Sequence, residues 1–223
     1  NQMKKYLTIL ALIITAFCSL IKPAGAVPAL QLYIPDATYY EVNPLFPDSK
    51  DSWVTTDNPF ELQVAGATTP AWVDYIDNVK LHIALLRNEY LLYQGLTTPF
   101  ITITDIDPNI TFEKVLYATD FLLGQPPGIS PHSIYPTYYA SINLPNLWVS
   151  TAGETVYDYN KNFDPANPGA SGSDSGDVQY YALSYDPRFT FIHFDATGTG
   201  ISDDGKIKNV FAPYSHDADS AVP

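Results

Sequence analysis

Short runs of alternating apolar and polar residues fill this chain, separated by clusters of Pro, Gly, Asn and Asp. No stretch sustains the 3.6-residue period of a long helix. The clearest alternation covers residues 78–86. Val79, Leu81, Ile83 and Leu85 point one way and Lys80, His82 and Ala84 the other, which predicts a half-buried strand. Residues 29–34 read as a first strand stopped by Pro35-Asp36, and residues 53–56 and 60–65 as two strands around the turn residues Asp57, Asn58 and Pro59. Pro44 and Pro47 predict a loop over 39–52. Residues 100–104 and 110–118 read as a hairpin, 138–142 and 147–150 as strands, and 89–93 as a strand or a helical turn. Four prolines exclude a central strand over 122–136, because proline has no donor for the ladder.

Residues 188–195 are apolar on both faces, with Phe189, Phe191 and His193 on one and Thr190, Ile192 and Phe194 on the other. Such a strand belongs inside a sandwich or barrel. It is expected to pair with 177–185 across Asp186-Pro187. An acidic Gly/Ser/Thr loop over 196–205 and a returning strand over 206–217 then follow. Residues 164–177, rich in Gly, Ser, Asp and Pro, read as a mobile loop. The whole pattern, nine or ten short strands with turn signals about every 8–12 residues, predicts an all-β fold. The expected architecture is an antiparallel β-sandwich, jelly-roll or immunoglobulin-like, preceded by a cleavable signal peptide.

That leader covers residues 1–26, with Asn1 and Gln2 a remnant ahead of a start at Met3. Lys4 and Lys5 precede an apolar run over 7–20, and Ala24-Gly25-Ala26 supplies the cleavage site. Phe17 stands where a lipidated Cys18 would need a small neighbour, so the single cysteine reads as part of the leader and departs with it. Residues 27–217 are expected to form a single β-sandwich domain held by its core or by bound ions.

Charge narrows the partners. The chain carries a formal net charge of −13, and its leader is basic, so the exported part is more acidic still. That argues against nucleic acid and anionic lipid, both polyanions. It suits cation binding or a solvated envelope surface.

Calcium takes about 6–8 oxygen ligands, and carboxylates on loops between strands supply them. The candidates are Asp195, Asp203, Asp204 and Asp217, although Ser202-Asp203-Asp204-Gly205 does not fit the Asp-x-Asp-x-Asp-Gly spacing and also reads as a solvated acidic turn. Asp105 with Asp107, and Asp174 with Asp177, are weaker versions. His82, His132, His193 and His216 are each either packed core residues or metal ligands; His193 and Asp195 share one strand face. Nucleophilic catalysis has little support. There is no Gly-x-Ser-x-Gly elbow and no His-Glu-x-x-His pair, and the adjacent Ser215-His216-Asp217 would alternate faces. Paired carboxylates for glycan hydrolysis stay open, with no pair singled out. Among 17 Tyr, the doublets Tyr39-Tyr40, Tyr138-Tyr139 and Tyr180-Tyr181 would each send one ring in and one out. Exposed rings can stack on sugars or pack under loops.

Several segments carry a family resemblance. "HFDATG" (193–198) followed by "GKIKNVFAPYSHDA" (205–218) resembles the C-terminal signature of the bacterial choice-of-anchor N surface proteins, a PEP-CTERM-type exported family. "AVPALQLYI" (26–34), "SWVTTDNPFELQVAG" (52–66) and "SPHSIYPTYYA" (130–140) are similar to further pieces in the same order. The resemblance implies location rather than chemistry. Residues 218–223 would then start a C-terminal linker or truncated anchor, since Ala221-Val222-Pro223 looks like the first letters of a sorting tail. The function expected is a structural or adhesive protein without catalytic activity, exported to the cell surface or extracellular matrix. A secreted carbohydrate-binding module is the alternative, and a glycan-acting hydrolase the third. Partners would be extracellular polysaccharide or other envelope components, with the membrane reached only through the missing anchor.

Overall fold

A computed structural model describes residues 30–42, 44, 50–67, 75–107, 109–124, 137–148, 154–157, 173–201, 207–211 and 217–221. Two β-sheets pack face to face, which makes the chain an all-β sandwich. The first runs β1 (Leu30–Tyr33), β4 (Phe60–Ala67), β12 (Ser173–Tyr185), β6 (Ile101–Asp105) and β7 (Glu113–Leu116), with β11 (Glu154–Tyr157) also on β12. The second runs β2 (Thr38–Val42), β3 (Lys50–Thr55), β15 (Asp217–Ala221), β13 (Phe191–Ile201), β5 (Tyr75–Leu86), β9 (Thr137–Asn143) and β8 (Leu122–Gly124). In it β10 (Leu147–Trp148) also pairs with β5, and β14 (Ile207–Phe211) with β13. Among the described residues every strand pair is antiparallel except β15 with β3.

The core lies between the sheets and follows from strand alternation. Val79, Leu81, Ile83 and Leu85 of β5 are fully buried, as the pattern over 78–86 predicts, and meet Ile192, Phe194 and Ala196 of β13. The opposing sheet supplies Leu62, Val64, Ile103, Tyr181 and Leu183. Phe60 and Phe194 join the two layers edge-to-face at 5.8 Å. A single cysteine allows no intrachain disulfide. This layer therefore carries the stability, each buried Leu, Ile or Phe contributing about 1.5–3 kcal/mol. Asn58 ties the turn after β3 to the end of β12: its Nδ2 donates to the Tyr185 carbonyl at 2.7 Å, and its Oδ1 accepts from the Tyr185 amide at 3.1 Å. Burial raises the Tyr181 hydroxyl above its ordinary pKa, with the charges of Asp105 and Asp177 adding to the shift. It donates at 2.8 Å to Gln179.

Three expectations are corrected. First, residues 177–185 and 188–194 do not form a hairpin, because β12 and β13 lie in different sheets. A two-residue hairpin wants Gly or Asn at positive φ, and Asp186-Pro187-Arg188 offers neither. The chain turns a corner instead, driving Phe189 into the core 4.8 Å from Phe100 and 5.4 Å from Tyr93. Asp186 holds the Arg188 amide and guanidinium, and Arg188 lies 5.4 Å over the Tyr93 ring. Residues 89–93 settle as part of α1 (Arg87–Tyr93), and buried Glu89 accepts from the Thr190 amide at 3.1 and 3.2 Å and from its hydroxyl.

Second, the predicted loop over 196–205 begins as strand, since β13 continues to Ile201; residues 202–206 lie outside the described set. Thr197 and Thr199 are β-branched and suit the pleat. Gly198 is required by the approach of β5: a Cβ there would stand 2.4 Å from Cγ2 of Ile76. The register shifts at this point, and Asn78 opposite adopts φ 53, so β5 bulges past Gly198.

Third, the predicted loop over 39–52 contains β2 and the start of β3, which pair through Tyr39 with Trp53 and Tyr40 with Ser52. Pro44 lies outside both strands, so it removes no donor from their ladder; Pro47 lies outside the described residues. Similarly, residues 173–177 of the predicted mobile loop belong to β12, where they pair with β11 and β4. The predicted leader lies outside the described residues. The last strand runs to Ala221, past residue 217, where the predicted domain ends.

Candidate functional site

The outer face of the larger sheet carries a row of polar side chains that the alternation of β5, β9 and β13 places together. Facing residues in the ladder share a face: His82 stands opposite Ser141 on one side and Asp195 on the other, and Lys80 opposite Thr197. His82 is buried between two hydroxyls. Its Nδ1 lies 2.7 Å from Ser141 Oγ and its Nε2 2.7 Å from Thr197 Oγ1. One ring nitrogen donates and the other accepts, and either hydroxyl can take either role. Burial, followed by the charge of Lys80, lowers the His82 pKa to about 4, so the ring is neutral at pH 7.

Above this row opens a groove of about 420 Å³, within the roughly 300–1,000 Å³ common for small-ligand sites. Its floor is His82, Ser141 and Thr197. One wall bears Asn78 and Lys80 from β5; the other bears Tyr139, Leu122 and Asp120. Leu122 and Tyr139 are directly paired across β8 and β9, which places the apolar wall at the sheet edge. Asp120 belongs to the 3-10 turn Ala118–Asp120, and its Oδ2 accepts from the Tyr117 amide at 2.7 Å, fixing the turn against the groove. The bulge at Asn78 and Gly198 shapes the far end.

Tyrosine doublets split as strand alternation requires. Tyr181 is fully buried and Tyr180 exposed. Tyr138 stacks on Tyr90 at 3.7 Å beneath the sheet, while Tyr139 turns to the groove.

Of the four predicted calcium ligands, Asp195 sits in β13, buried, with Oδ1 accepting from the Ala196 amide at 2.6 Å. Asp217 begins β15, one residue beyond the Ala218–Phe194 pair and so level with Asp195 in the ladder. Asp203 and Asp204 lie outside the described residues, as do His132 and His216. His193 and Asp195 do share the outer face, where His193 stands opposite Asp219. Asp105 and Asp107 form a local turn in which Asp105 accepts from the Asp107 amide at 2.8 Å. Among the described residues no group of three or more His, Cys, Asp or Glu forms a metal-holding cluster.

Sequence reasoning singled out His82 but missed Asn78, Asp120 and Ser141 as its neighbours in the groove. Two signals were present: the shared face of Lys80 and His82, and the outward ring expected of one tyrosine in the 138–139 doublet.

No family model matches this chain, and no curated protein matches it. One solved structure, AvmM, which catalyzes macrocyclization in alchivemycin A biosynthesis, aligns with 89% of this chain and 86% of its own at a TM-score of 0.34 and 6% identity. A likeness that weak carries no argument.

Proposed function

We propose that this chain is an exported, non-catalytic β-sandwich that serves as a structural or adhesive protein at the cell surface or in the extracellular matrix, and that it holds extracellular polysaccharide in the groove over His82. Export is supported by the leader pattern, and display through a C-terminal anchor by the choice-of-anchor N motifs. The observation that carries the binding reading is the composition of the groove: a tyrosine ring and a leucine on one wall, with an amide, an ammonium, a carboxylate and the three hydroxyls of Ser141, Thr197 and Thr199 around them. A sugar ring has an apolar C–H face and a rim of hydroxyls, so it needs this combination.

The same geometry favours binding over turnover. His82 commits both ring nitrogens to hydroxyls, and its lowered pKa makes it a weak base at neutral pH. The test is a glycan array followed by titration of any retained polysaccharide against the protein and Tyr139→Ala. Retention by the parent and loss in the variant, at an unchanged melting temperature, is the expected result. No retained glycan, or equal retention by both proteins, overturns the reading. Protease shaving of intact source cells tests location, because a surface protein is cleaved without lysis.

A further inference from the structure

Resting on that reading, we infer that the groove selects uncharged hexose polysaccharide and rejects acidic polymers rich in uronate. Two charged residues line it, Lys80 and Asp120, and they form no ion pair with each other. With His82 neutral between its hydroxyls, the lining carries one positive and one negative charge. Around it the chain carries 24 acidic residues against 11 basic ones. A polyanion would therefore approach against the field of the whole molecule, and the groove's single ammonium would not offset that field.

An uncharged polyol meets no such field and finds both hydrogen-bonding signs. Lys80 donates only. Asp120 accepts only, and its Oδ1 stands clear of the Oδ2 bond to Tyr117. Asn78 spends one amide hydrogen on Asp77, leaving its carbonyl and a second hydrogen for ligand. The Ser141 hydroxyl is exposed yet held in place by buried His82, so the floor is ordered before ligand arrives, which lowers the entropy cost of binding. On the opposite side Tyr139 packs over Gly124, whose added Cβ would stand 3.7 Å from the ring. Its ring is thus supported from below as a platform. Four strands underlie the site, about 14 Å across at the usual spacing of neighbouring strands, so an extended chain segment fits better than one monosaccharide.

The discriminating experiment titrates the whole protein with neutral hexose polymers (a β-glucan, a galactan and a mannan) and with polygalacturonate, at low and physiological salt. Binding of a neutral polymer, insensitive to salt, with none to polygalacturonate is the expected result. Tyr139→Ala should weaken it by about tenfold or more and Tyr139→Trp should keep it, while Lys80→Met and Asp120→Asn should each weaken it several-fold. Polygalacturonate binding that falls with salt and is lost in Tyr139→Ala overturns the selectivity and leaves the glycan reading standing. Failure of every polymer to bind overturns both.

Discussion

Gly198 and Ile76 lie so close across β13 and β5 that any Cβ on the glycine would stand 2.4 Å from the isoleucine's Cγ2. That methyl belongs to a stiff β-branched side chain buried in the sheet, so it cannot swing aside. Gly198→Ala is expected to destabilise the fold by about 1–3 kcal/mol, the usual cost of overpacking. Ile76→Ala in the same chain should recover part of that loss, and chemical denaturation of the two single variants and the double variant measures the coupling.

His82 gives stability a pH dependence whose sign is fixed by its burial. Its folded pKa, about 4, lies below the unfolded 6.5, so the unfolded chain takes up the proton first as pH falls. The folded state should therefore lose stability between about pH 6.5 and pH 4, by up to ~3 kcal/mol, and no more below that window from this group. His82→Gln should flatten the slope in that interval. Asp186 acts lower: hydrogen bonding to Arg188 holds its carboxyl below its ordinary value of 3.8, so its contribution persists above that value and fades beneath it. Melting temperatures from pH 8 to pH 3 in parent and variant separate the two.

Glu89 anchors α1 to the corner before β13 by accepting from both the amide and the hydroxyl of Thr190. Removing the acceptor leaves the amide and hydroxyl of Thr190 without the buried carboxylate that holds them. Glu89→Ala is expected to cost about 2–3 kcal/mol, Glu89→Gln less, and Thr190→Val an intermediate amount, read from urea midpoints at constant m-value.

Calcium ligation through Asp195 has its own readout. Thermal melts in EDTA and in excess Ca²⁺ should differ for the parent and coincide for Asp195→Asn if the ion is bound there; superimposed parent curves remove it from consideration.

The layered β architecture was legible because strand alternation is local: Val79 through Leu85 announces its own face, and a tyrosine doublet announces that one ring turns out. Pairing across the sheets was not. Asp186-Pro187 looks like a turn whether the next strand folds back or crosses over, and only the absence of a positive-φ residue hints at the corner. The groove was hidden for a similar reason. His82, Ser141 and Thr197 are separated by 59 and 115 positions from His82 outward, and they meet only because β5 is flanked by β9 on one side and β13 on the other. Register supplies that meeting, and register is a property of the assembled sheet.

The parallel contact between β15 and β3 sets the order in which the molecule can be assembled. The β2–β3 ribbon reaches the rest of its sheet through residues 217–221, which follow every other described strand in chain order. Until they arrive the ribbon has no other described strand of the larger sheet to zip onto, so that sheet closes only once β15 has been made.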